Sequence, residues 1–176
     1  MVTDALLRQQ MDMAFGNYLQ LSRILEADMI ALLDGECESQ HWRRNFIRSS
    51  AALLEGHVHG LREMCAIIFE CPAPELSKKE TNVLSCEESF SAAERFKRTL
   101  RIAYDLLELT PAPSFGGNDW SNAQRVFSKR DLLMHPKTPA DLDVSDSLWK
   151  DIRTDSFWLM EQCLNVLRLL DEKLGG

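Results

Sequence analysis

The sequence predicts an all-α protein. Apolar residues recur at steps of three, four or seven along most of the 176 residues, no stretch alternates with period two, and the breaks in the pattern fall where Pro and Gly cluster. One apolar stripe per helix has to be buried against other helices. The expected arrangement is therefore a single domain over residues 1–176, an antiparallel helical bundle of four to five main helices.

The first helix is expected from Asp4 to Leu33, with Leu7, Met11, Tyr18, Leu21, Leu25, Met29 and Leu32 on one side and Gly35 placed to stop it. The second is expected from His41 to Phe69, ending before Cys71-Pro72-Ala73-Pro74, with Phe46, Ala52, Leu53, Val58, Leu61, Met64, Cys65 and Ile68 inward. Gly56 and Gly60 weaken helix propensity there, so their use is close approach of another helix. A short helix fits Pro74 to Leu84, and a third long helix opens at Ser85 or Glu87 and carries Phe90, Ala93, Phe96, Leu100, Ala103, Tyr104 and Leu107. Two prolines and a glycine pair make residues 110–118 a loop. Asn118 or Asp119 is the expected cap of the next helix, which carries Trp120, Ala123, Val126, Phe127 and Leu133 and ends when Pro136 pushes His135 out of α geometry. After a loop through Pro139 and Asp143, Ser145 or Asp146 opens a last helix to Leu174, with Trp149, Ile152, Phe157, Met160, Leu164, Leu167 and Leu170 inward.

A chain of this length and 45% hydrophobic content can bury a core without disulfides or a structural metal. The five cysteines are odd in number and lack CxxC spacing, so neither a disulfide framework nor a zinc ribbon is expected. With no leader-like N-terminus and no long apolar run, the expected setting is cytoplasmic, with no membrane contact. A net charge of -7 argues against broad affinity for nucleic acid. Local charge differs: residues 120–138 hold Arg125, Lys129, Arg130 and Lys137 against the single acid Asp131. A second basic cluster, Arg95, Lys97, Arg98 and Arg101, reads as a solvated helix face.

The stretch with chemical content is Arg130-Asp131-Leu132-Leu133-Met134-His135 before Pro136. Arginine keeps its charge and can hold a phosphate through two parallel donors, while histidine changes charge between about pH 5 and 8 and can move a proton. An Arg followed by Asn, Asp or His, with His five places after the Arg, is expected about 0.04 times by chance at this composition, which makes the full pattern moderately specific. Residues five apart on a helix differ by about 140 degrees, so convergence of Arg130 and His135 depends on the helix end. Asp131, four residues before His135, is placed to orient the imidazole and favour its charged form; an ordinary solvent-facing charge is the alternative.

This pattern, in the setting Phe127 to Lys137, resembles the signature of the HEPN superfamily of all-helical domains, many of which are metal-independent endoribonucleases. Arg48-Ser49-Ser50-Ala51-Ala52-Leu53-Leu54-Glu55 resembles an earlier core helix of that family, in which an Arg-Ser start and an acidic residue recur. The resemblance implies a homodimer in which two motif helices meet and complete an RNA-cleaving site, without a cofactor or metal. Arg130, Asp131 and His135 are then the catalytic candidates and Lys129, Lys137 and Arg125 the RNA contacts. Arg48 and Glu55 are secondary candidates that suit a structural network equally well. An antitoxin or a nucleotidyltransferase is the kind of protein partner implied, and a non-catalytic dimerisation or RNA-binding module is the alternative function.

Other constellations carry less. His57 and His59 project about 200 degrees apart on a helix and read as packing or surface residues. Cys37 and His41 lack a further ligand pair. The four tryptophans suit core or interface packing better than base stacking, and Gly116-Gly117 has no following Lys-Ser or Lys-Thr, so no phosphate loop is present.

Overall fold

A computed structural model describes residues 4–33, 39–69, 76–85 and 90–175, and among these residues the chain is all-α. The helices are α1 (Asp4–Leu33), α2 (Gln40–Phe69), α3 (Lys78–Ser85), α4 (Ala92–Leu106), α5 (Asn118–Met134) and α6 (Asp146–Gly175), with a 3-10 turn at Pro139–Leu142 between the last two. No described helix is long and apolar enough to cross a membrane.

The central element is α2, which packs against all five other helices, whereas α1 packs mainly along α2. Tyr18 meets His57, Leu25 faces Gly56 and Met29 meets Ser50, so α1 and α2 run in opposite directions. The expected role of the two glycines is met here. A methyl group on Gly56 would sit 2.7 Å from Leu25 Cδ1, and one on Gly60 would collide with the Tyr18 ring. On its other sides α2 joins two aromatic clusters. Trp149 of α6 stands edge-on to Trp42 and Phe46 at centroid distances of 5.2 and 4.9 Å. Phe96 of α4 lies beside Trp120 and Phe127 of α5 at 6.2 and 5.8 Å, which closes the core around fully buried Leu54, Leu100 and Val126. Such ring pairs add about 0.5–1.5 kcal/mol each beyond the area they bury.

Several element boundaries differ from expectation, each for a local reason. The third long helix, α4, starts at Ala92 rather than at Ser85 or Glu87, because the Ser91 hydroxyl accepts a hydrogen bond from the Glu94 amide and caps it there. The short helix begins at Lys78, where the Ser77 hydroxyl and the Glu80 carboxylate satisfy each other's turn. Gly117, not Asn118 or Asp119, is the cap of α5. Ser145 caps α6 as expected, its hydroxyl accepting from the Leu148 amide. Gly35, proposed as the stop of α1, lies outside the described residues.

Among the described residues, three that were expected inward face out. Ala52 is exposed on α2, and Phe157 and Leu164 are 45% and 51% exposed on α6. The buried face of α6 instead follows Trp149, Ile152, Ser156, Leu159, Cys163 and Val166, alternating steps of three and four. Phe157 and Leu164 sit one position out of that phase.

Candidate functional site

The site is built where α5 ends against α2. As Pro136 requires, His135 leaves helical geometry, with φ -130° and ψ 56°, while its amide still bonds the Asp131 carbonyl at 3.0 Å. Its imidazole is exposed and has no hydrogen-bond partner among the described residues. Leu132 and Met134, in the last turn before it, are 44% and 51% exposed.

Arg130 points back to α2. Its guanidinium donates to Glu55 at 2.5 Å and to Asp131 at 2.9 Å. Partial burial opposes its charge, but these two carboxylates favour it more strongly, and its pKa is raised above the ordinary arginine value. Asp131 therefore turns to Arg130 and not to His135, the solvent-facing charge pair that was the alternative for it. A neighbouring guanidinium is a stronger partner than a neutral imidazole.

Arg48 and Glu55, one heptad apart, face the same way from α2, and both reach α5. Arg48 donates to the Leu133 carbonyl at 3.0 Å, satisfying one of the acceptors that every helix C-terminus leaves open. The two α2 residues hold α5 at two points rather than pairing with each other. The strip continues toward the start of α2: Arg48 makes a long 3.5 Å contact with Asn45, whose amide lies 3.0 Å from His41 Nε2. Asn45 did not stand out in the sequence, and His41 drew notice there only beside Cys37. Their signal is the spacing 41, 45, 48, 52, 55 at alternating steps of four and three, with small Ala52 leaving the strip open.

The three candidate RNA cations do not share one role. Lys129 is a correction: it is 7% exposed, and its ammonium donates to the carbonyls of Asp141 and Asp143 at 2.8 and 2.6 Å. Burial lowers its pKa, with Asp143 and Asp141 acting in the opposite sense. It faces inward because the segment after His135 folds over α2 and α5, and its buried carbonyls need donors. Arg43 serves Val144 and Arg44 serves Leu142 for the same reason, while Gln40 exchanges two 2.9 Å hydrogen bonds with the Val144 backbone. Arg125 is also taken up inside the chain, bonding Asp155 at 2.9 Å and Asp151 at 2.8 Å on α6. Lys137 alone of the three has an exposed side chain with no partner among the described residues.

The remaining histidines separate by burial. His57 is 2% exposed, with Nδ1 2.7 Å from the Tyr18 hydroxyl, and burial pushes its pKa down to about 4. His59 is exposed and contacts Arg62 at 3.0 Å. Among the described residues no three His, Cys, Asp or Glu side chains are grouped closely enough to hold a metal ion. Comparison of the chain with protein-family models, curated proteins and solved structures finds no match.

Proposed function

We propose that this chain is a HEPN-like helical bundle acting as a metal-independent endoribonuclease whose site is completed by a second copy of the chain. The observation that carries this reading is His135: an exposed imidazole without a partner, at a helix end fixed by Arg48, five residues after a guanidinium. A neutral imidazole can take the proton of a ribose 2'-hydroxyl as that oxygen attacks the adjacent phosphorus, and an imidazolium can give a proton to the departing 5'-oxygen. The P–O5' bond breaks as the P–O2' bond forms, leaving a 2',3'-cyclic phosphate and a 5'-hydroxyl. Arg130 stabilises the charge that grows on the phosphate, at the cost of loosening its hold on Glu55 or Asp131.

Cleavage by this route uses a base and an acid, and one α5 supplies one histidine. A second copy meeting the first through exposed Leu132 and Met134 would bring the other. Lys137 is the remaining free cation among the proposed RNA contacts.

A second reading, a non-catalytic dimerisation or RNA-binding module, is favoured by one observation: the Arg130 guanidinium is already matched by two carboxylates. Incubating the purified protein with labelled RNA in excess chelator separates the two. The ribonuclease reading expects cyclic phosphate ends, lost in His135→Ala and Arg130→Ala, and no cutting of DNA of the same sequence, because DNA lacks the attacking hydroxyl. Cutting of that DNA, or undiminished RNA cutting by His135→Ala, contradicts the mechanism. An intact RNA with a stable dimer leaves the module reading.

A further inference from the structure

Six of the ten large apolar side chains left exposed among the described residues belong to α1: Leu6, Met13, Phe15, Leu19, Ile24 and Ile30. The cause is that α1 packs mainly along α2, while its apolar residues occupy more of the helix circumference than one neighbour can cover. They lie on both flanks of the face turned to α2. On one flank Asn17 and Gln20 interrupt Leu6, Met13 and Ile24, and no charge stands among them. On the other, Arg8, Asp12, Phe15, Leu19, Arg23 and Glu26 fall within about 80 degrees of arc and form one strip.

The order of charges along this strip specifies what covers it. Phe15 and Leu19, 43% and 37% exposed, form its middle, with Arg8 and Asp12 before them and Arg23 and Glu26 after. None of these four charges forms an ion pair among the described residues, although Arg8 has the spacing to meet Asp12, and Arg23 to meet Glu26. Arg8 and Glu26 share one edge of the strip, Asp12 and Arg23 the other. Two antiparallel helices related by a two-fold axis bring like edges together. The pairs Phe15 with Leu19 and Arg8 with Glu26 have a common midpoint at Asn17, and Asp12 with Arg23 has its midpoint half a residue away. A single axis therefore sets apolar on apolar at the centre and opposite charges on both edges. A lipid surface fits worse, because α1 has two arginines and no lysine against four acids, whereas helices that lie on membranes are basic.

We propose that α1 is a self-association surface on which α1 of a second copy of this chain lies antiparallel. Phe15 of each copy packs on Leu19 of the other, Arg8 meets Glu26, and Asp12 meets Arg23. The motif helix α5 joins α2 on a different side, at Arg48 and Glu55, so this seam uses no residue of the proposed ribonuclease site and stands without that reading. With an α5 seam as well, each chain has two two-fold contacts and the assembly is larger than a dimer.

The test is sedimentation equilibrium of the full chain carrying Leu132→Glu and Met134→Glu, two exposed changes that remove any contribution of α5 to self-association. This parent protein is expected to be a dimer. Adding Leu19→Glu buries a carboxylate at the centre of the seam and should leave a monomer. Arg8→Glu and Glu26→Arg should each weaken the dimer about tenfold or more, because each sets like charges opposite one another at two symmetry-related places. The two together exchange the charges and should restore the dimer. Arg8 and Leu19 are exposed and Glu26 is half-buried, so the variants should fold, and helical circular dichroism equal to the parent's checks that they do. A monomeric parent, a dimer indifferent to Leu19→Glu, or a charge exchange no better than the single changes overturns the proposal. A monomeric parent that floats with phosphatidylglycerol vesicles overturns it in favour of lipid.

Discussion

The two sides of α2 are attached to their neighbours by opposite physical means. Toward α1 it presents Gly56, His57 and Gly60, and contact is made by close approach, with Tyr18 seated on bare backbone and bonded to a neutral, buried histidine. Toward α5 it presents Arg48 and Glu55, and contact is made by charged hydrogen bonds that remain partly open to water. The first seam is closely packed at its two glycines and carries stability. The second leaves its donors and acceptors reachable from solvent, the condition a binding or catalytic site needs.

Breaking the α1 seam should have the largest effect. Gly60→Ala drives a methyl group into the Tyr18 ring and should destabilise the fold by about 3 kcal/mol, the upper range for overpacking. At this chain length that corresponds to a fall in Tm of roughly 6–12 °C. Gly16→Ala, at a helical position with open space around it, should instead raise stability by up to about 1 kcal/mol. Thermal denaturation followed by circular dichroism compares them, and equal effects would remove the close-packing account of the seam.

Acid should weaken the same seam. The folded pKa of His57, about 4, lies below its ordinary value of 6.5, so between those values the unfolded chain binds more protons and acid favours unfolding. The contribution is fully present above about pH 6.5, is lost progressively as pH falls to about 4, and amounts to about 3 kcal/mol in order of magnitude. His57→Gln should flatten stability over that window in urea titrations at several pH values. An unchanged pH profile would mean that His57 titrates as freely as an exposed histidine.

On the α5 side the expected effects are smaller. Lys129→Met leaves two loop carbonyls without their shared donor and should cost about 2 kcal/mol, while Lys137→Met, at an exposed position, should leave stability unchanged within about 0.5 kcal/mol. The same Lys137 change should lower the salt dependence of RNA binding by about one ion if this lysine contacts phosphate. The smallest effect is the coupling of Glu55 and Arg130: their side chains are 39% and 26% exposed, and solvent screening limits a double-mutant cycle with Glu55→Gln and Arg130→Gln to about 1 kcal/mol. A coupling of several kcal/mol would show that this seam is built for stability after all.

Much of the site was legible because its signals are local. The pair Arg130 and His135, the stop at Pro136 and the inward stripe Trp120, Ala123, Val126, Phe127 and Leu133 depend on spacing along one helix. What could not be read was the destination of each charge. Lys129 and Lys137 look alike in a row of basic residues, yet one ends under a loop and the other in solvent. Asp131 has the spacing to meet His135 but is captured by Arg130, which α2 holds in place through Glu55, 75 residues away in sequence.

Local chemistry therefore determined the all-helical character, the breaks at Pro and Gly, and a guanidinium and an imidazole carried at one helix end. Tertiary packing alone decided that His57 is sealed and His135 open, and that Arg48 and Glu55 bind α5 instead of each other. The reason is one of range: helix formation responds to neighbours within a turn or two, whereas burial and charge pairing are set by residues that only the folded chain brings together.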